Sequence, residues 1–113
     1  MKAIELLCVL VAAVGCGSAA MPSAKMTDAK SEIKAADAVG AAHVPQAALH
    51  LKLARDETAR AEALLKQGDE EEADLMLDRA RIDAELSMTL ARGSQARAEA
   101  SEAAKRIEDL SRD

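Results

Sequence analysis

Cys16 stands behind a short apolar run, Leu6 to Val14, in the order Ala13-Val14-Gly15-Cys16, with a small residue directly before the thiol. A thiol so placed reads as the end of an export signal, where the sulfur is the acceptor for lipid. Cleavage before it removes residues 1–15, and Cys8 with them, so the mature chain keeps one cysteine and forms no internal disulfide. The run is too short to span a bilayer, which takes roughly 20 apolar residues. Ser18-Ala19-Ala20 offers a second set of small residues, at which an ordinary secretory signal is cut to leave the protein unlipidated.

The other candidates for chemistry are sparse. His43 and His50 lie seven residues apart, but Pro45 interrupts the helix between them, and a metal site would have to recruit carboxylates from elsewhere. Asp69, Glu70, Glu71, Glu72, Asp74 and Asp78 form the densest acidic group, without the alternating oxygen ligands and central glycine of a calcium loop. At the start of a helix such a group is favoured by the helix dipole alone. Ser87, Thr58 and Ser101 have no histidine and carboxylate that the pattern sets beside them. Met21 and Met26 could hold copper through their thioethers, but read more simply as part of a linker and its margin. Expected, then, are no catalytic residue, no metal and no cofactor.

Around Cys16 the pattern resembles the lipobox of bacterial lipoproteins, in which the cysteine is diacylated and becomes the first residue. That resemblance implies a membrane-lipid partner through acylated Cys16. It also implies an outer-membrane anchor facing the periplasm, since Gly17 follows the cysteine where an Asp commonly marks retention at the inner membrane. The chain has 15 basic and 20 acidic residues, a net charge of −5, and loss of Lys2 and Glu5 with the signal leaves that balance unchanged. An acidic chain without a basic patch argues against nucleic acid and against electrostatic binding to anionic lipid.

These residues need elements to carry them, and the composition allows one kind. Half of the sequence is hydrophobic, yet it has no Phe, Tyr or Trp, and alanine dominates. Alanine is the strongest helix former and a poor filler of thick cores. The expectation is an all-α fold: a flexible tether over 16–24, then an alanine-rich domain over 25–113 with helices at about 25–42, 45–67 and 69–112. Pro45 suits the first turn of the second helix. Gly68 suits a left-handed stop, and Asp69 with Glu72 has capping-box spacing for the third.

Heptad steps then supply a packing surface for each helix. The second carries Ala47, Leu51, Ala54, Thr58, Ala61 and Leu65; the third carries Ala73, Leu77, Ala80, Ala84, Ser87 and Ala91, flanked by Met76 and Met88; the first carries Ala29, Ile33, Ala36 and Gly40. Seams this rich in small residues predict close-packed axes in a narrow antiparallel hairpin or three-helix coiled-coil-like module with a long C-terminal helix. Acid-before-base pairs at i and i+4, Asp56–Arg60, Glu62–Lys66, Glu102–Arg106 and Glu108–Arg112, support the outer faces. After Arg92 the stripe changes phase at Gly93-Ser94 and continues as Ala96, Ala100, Ala103, Ile107 and Leu110. One glycine costs a helix only about 1 kcal/mol, so the helix is expected to run through it rather than fold back. The tail then has an apolar stripe with no partner of its own, suited to a helical protein or a second copy.

Over Ile33 to Arg92 the Ala35-Ala36-Asp37-Ala38 run, the turn ending in Pro45, the Leu-rich second helix, the Lys66-Gln67-Gly68-Asp69 turn and the ladder Ala73, Ala80, Ala84 carry a family resemblance. The chain resembles the alanine-rich helical domain of unknown function found in Gram-negative envelope lipoproteins. The resemblance implies an envelope module without known catalysis; the OmpA-like wall-binding domain that often follows it has no counterpart in these residues. The expected function is that of a structural or partner-binding coil. The alternative is a periplasmic protein that binds a small ligand or a metal.

Overall fold

The computed structural model describes residues 21–113. The signal segment, Cys16 and the tether as far as residue 20 lie outside them. Three helices follow one another: α1 (Pro22–Ala38), α2 (Pro45–Gln67) and α3 (Glu70–Arg112), with a short 3-10 turn (Ala41–His43) between the first two. The described residues contain no strand.

Each boundary has a local cause. Helix α1 begins at Pro22 rather than Lys25, because Met21 is extended (ψ 146°) and Pro22 supplies a preset φ where no backbone N–H is needed. The expected tether over 16–24 is therefore shorter by its last three residues. The same helix ends at Ala38 instead of Ala42. Gly40 takes φ +80°, its N–H donates to the Asp37 carbonyl at 2.9 Å, and it serves as a cap rather than as a seam residue. Pro45 opens α2 and Gly68 closes it at φ +83°, with the Gly68 N–H on the Leu65 carbonyl (3.1 Å) and the Asp69 N–H on the Leu64 carbonyl (3.0 Å). These two bonds satisfy carbonyls that the helix end would otherwise strand. Asp69 then caps α3, its carboxylate accepting from the Glu72 N–H at 3.3 Å, and Glu70, Glu71 and Glu72 occupy the first turn. Helix α3 passes through Gly93 without a break.

Cross-helix bonds give the topology. Ser87 on α3 reaches Ala47 on α2, and His50 reaches Asp83, so these two helices run antiparallel. Lys25 and Glu32 of α1, and Val39 just after it, meet Asp74, Arg81 and Gln95 in the same chain sense, so α1 runs parallel to α3. The result is an up-down-up bundle whose third helix continues beyond the other two.

The core follows the heptad seams. Ala47, Leu51, Ala54, Thr58 and Ala61 are buried on α2; Ala73, Leu77, Ala80, Ala84, Ser87 and Ala91 on α3; Ala29, Ile33 and Ala36 on α1. Leu65 and Met88 pack at the margin, and Met76 is buried. Of fourteen buried apolar residues among those described, ten are alanine, so the helices meet through methyl groups and backbone rather than interlocking large side chains. Both buried hydroxyls are satisfied: Ser87 Oγ donates to the Ala47 carbonyl and Thr58 Oγ1 to that of Ala54, each at 2.7 Å.

Candidate functional site

The continuation of α3 carries the residues expected to bind a partner. The last tie between α3 and the rest of the bundle is the Gln95 side-chain amide, which donates to the Val39 carbonyl at 2.9 Å. From Ala96 to Asp113 every residue is exposed. Ala96, Ala100, Ala103, Ile107 and Leu110 therefore lie in one row on the part of α3 that makes no hydrogen bond or ion pair to the rest of the described chain. Ile107 is 68% and Leu110 76% exposed. The outward charges of this segment pair along the helix as expected, Arg106 with Glu102 at 2.6 Å and Arg112 with Glu108.

The row does not begin at Gly93. In heptad steps it extends back through Thr89, Leu86, Ile82 and Arg79 to Leu75, and Leu75, Ile82 and Leu86 are exposed apolar side chains. Helix α3 thus has two seams. The inner one is buried by α1 and α2; the outer one is displaced by two residues, about 200° around the helix, and stays open along its length. The change of phase read at Gly93-Ser94 is the point where the inner seam runs out of partners and the outer seam alone persists. Sequence reasoning missed the upper half because Arg79 and Thr89 interrupt its apolar character.

A second constellation lies between α2 and α3. His50 Nδ1 and Asp83 Oδ1 are 2.6 Å apart, both largely buried, and Glu57, one heptad below His50 on the same face of α2, also faces Asp83. Glu57 Oε2 is buried without a hydrogen-bond partner. Burial, and then the neighbouring Asp83 carboxylate, hold the Glu57 carboxyl above the usual carboxylate range, with Asp56 adding to the effect and Arg79 opposing it. A His–carboxylate pair orients an imidazole wherever it occurs. Here no hydroxyl is bonded to the imidazole, since Ser87 and Thr58 are committed to backbone carbonyls and Ser101 lies out on the tail. What this cluster supplies is a polar tie across an alanine core.

The sign of Glu57's shift gives a test. Its folded pKa exceeds its unfolded one, so the native state takes up a proton more readily, and stability rises as pH falls through the raised value. Glu57→Gln removes the buried charge and lets the amide donate to Asp83. At pH 7 the variant should be more stable by about 1 kcal/mol, roughly 4 to 8 °C in melting midpoint. The gain should shrink as the pH is lowered toward 4, because the wild-type carboxyl then protonates. Thermal melts at the two pH values check both parts.

The remaining residues of interest take structural places. His43 ends the 3-10 turn and is exposed. Met26 packs against the lower core cluster, whereas Met21 is exposed ahead of α1. Two of the acidic residues near the start of α3, Asp74 and Asp78, share Lys25 of α1 at 2.7 and 3.1 Å, and these bonds raise the pKa of the lysine. Glu62 bonds Lys30 of α1 in place of Lys66, which lowers its pKa, and Asp56 pairs with Lys52 of its own helix in place of Arg60. Lys30 comes within reach of Glu62 because small core residues bring the surfaces of α1 and α2 close. Surface grooves, one of them between α1 and α2 beside Lys30, Ile33, Arg55 and Glu62, are shallow. Among the described residues no group of three or more His, Cys, Asp or Glu is placed to hold a metal, and no helix is long and apolar enough to cross a membrane. No family model matches the chain, and comparisons with curated proteins and with solved structures give no significant match.

Proposed function

We propose that the chain is a lipoprotein of the cell envelope, held at the outer membrane through acylated Cys16, whose work is contact: its long third helix docks a helical partner in the periplasm. One observation carries this reading, the extension of α3 well beyond its bundle with an apolar row, Ala96 to Leu110, facing solvent. Contiguous exposed apolar surface marks interaction sites, and here three alanines lead to two large exposed side chains, Ile107 and Leu110. The acidic balance of the chain points the contact toward protein rather than nucleic acid. The Ala13-Val14-Gly15-Cys16 pattern supports the anchor, and the likeness to alanine-rich envelope domains is part of the same proposal.

Two measurements test it. Mass spectrometry of the mature protein should find Cys16 as the first residue with added acyl mass; a chain beginning at Met21 without lipid would remove the anchor. Replacing Ala100 and Ala103 together by Glu puts two charges into the row without touching the bundle. Association, read by cross-linking in intact cells, should fall at least tenfold while the melting midpoint of the bundle stays within about 2 °C. Unchanged cross-linking would show that the tail is not the docking surface.

A further inference from the structure

We infer that the occupant of the outer seam of α3 is the same seam of a second copy, laid antiparallel so that Gly93 of each helix lies beside Ala96 of the other. This rests on the contact-module reading and specifies its partner.

The geometry of a two-helix seam decides the matter through the residues that flank it. In heptad terms Glu85, Arg92, Glu99 and Arg106 all border the outer seam on one side, seven residues apart and alternating in sign. Like-positioned flanks face each other in an antiparallel pair, and flanking charges set orientation and register. With Gly93 opposite Ala96, Glu85 meets Arg106 of the second copy and Arg92 meets Glu99, two-fold symmetry makes each pair twice, and the one like-charged pair, Asp78 with Asp113, falls at the ends, where Asp78 is already bound to Lys25. The core layers fit as well. Ile82 lies against Ile107, Leu86 against Ala103 and Thr89 against Ala100, so the two isoleucines cover each other and alanines of the tail receive Leu86 and Thr89, with Arg79 beside Leu110 at the end of the seam.

The competing arrangements fare worse on the same residues. Sliding the antiparallel pair by one heptad sets Arg92 against Arg106 or against its own copy, and Glu99 against itself or Glu85. An in-register parallel pair opposes Asp78 to Asp83 and Arg92 to Arg97, with no opposite charges to compensate. A slide by two heptads one way restores attraction, Glu99 with Arg106 and Arg92 with Asp113, but leaves Ile82 and Leu86 in water; the other way it pairs Glu85 with Arg92 but sets Asp78 against Glu99 and leaves Ile107 and Leu110 uncovered. Among the described residues Glu85, Arg92 and Glu99 form no ion pair within the chain, and Arg106 only an exposed one with Glu102. The bundle does not obstruct the pairing, because α1 and α2 cover the opposite side of α3.

Charge reversal with sedimentation velocity on the full-length protein tests the register. The wild type should dimerise; Arg92→Glu and Glu99→Arg singly should each weaken the dimer by roughly tenfold or more, since each turns two attractive contacts repulsive. The double variant should recover to within about twofold of wild type, because the reversed pair is again complementary. Circular dichroism on each variant separates lost association from lost helix. A wild type that is monomeric at roughly 100 µM overturns the dimer. Tighter association on Arg92→Glu overturns the antiparallel order, and a double variant as weak as the singles overturns the register. None of these outcomes bears on the acyl mass at Cys16 or on cross-linking of the tail to a different protein, by which the broader reading is judged separately.

Discussion

Leu77→Ala is expected to lower the melting midpoint by roughly 12 to 24 °C, the equivalent of about 3 kcal/mol in a domain of this size. Leu77 is fully buried in the lower core cluster, where its neighbours are Ala29, Ala61, Ala73, Met76 and Ala80. The cost of truncating a buried leucine depends on how well the site can collapse around the gap. Alanine has no rotamers with which to fill a void, and the helix axes are already held close by the other alanines. Only Met76 within the cluster and Met26, Leu64 and Leu65 at its margin could swing in. The cavity should therefore persist, and the loss should fall within the usual range for such changes rather than at its low end. A drop equivalent to less than about 1 kcal/mol would mean that α1 closes onto α3 and that the core is softer than its packing implies.

Ala84→Leu is expected to be at least as damaging, for the opposite reason. Ala84 has no exposure, and it belongs to the upper cluster with Ile33, Ala36, Ala47, Leu51 and Ala54. Overpacking a filled core costs about 1 to 3 kcal/mol and more when neither backbone nor neighbours can yield. Here the added carbons meet helix backbone through a layer of methyl groups. Helix α3 would have to lift away from α2, and Ser87, one turn on, would lose the 2.7 Å bond to the Ala47 carbonyl, leaving polar groups unpaired. Chemical denaturation should show a lowered midpoint with loss of cooperativity. A variant that melts later than wild type would show slack at the α2–α3 contact.

Much of this fold could be read from the residues, for a reason specific to them. With alanine and leucine repeating every three and four residues, the buried face of each helix is fixed by the sequence spacing, and Ala47 to Ala61 and Ala73 to Ala91 are buried as the heptads require. Pro45 and the Gly68-Asp69 turn mark their boundaries because each does something few other residues do as well: a preset φ, a left-handed φ and a side-chain cap. Pro22 carries the same signal as Pro45, but the small residues before it read as a continuous tether, and composition outweighed the single proline. Ion pairs were less legible. Spacing along one helix gives Glu102–Arg106 and Glu108–Arg112 on the free tail, where no other helix competes. Within the bundle, Glu62 and Asp37 instead find Lys30 and Arg55 across the α1–α2 contact. The cluster of His50, Asp83 and Glu57 was invisible for the same cause, since it forms only when two registers meet. The upper half of the outer seam was legible in principle, as heptad steps from Leu75 to Leu110, but a seam that includes an arginine and a threonine does not stand out until the inner one has been accounted for.

Lys25 clasps Asp74 and Asp78, and so fixes the place where the chain comes into the bundle beside the beginning of α3. Leu110 lies 36 residues further along that helix, roughly 54 Å away at 1.5 Å per residue. A chain built this way has poles, one where it arrives and one where it leaves. In an antiparallel pair the two arriving poles fall at opposite ends of the rod. Two acylated Cys16 residues would then hold it at both extremities, lying flat along a single bilayer instead of standing upright from it.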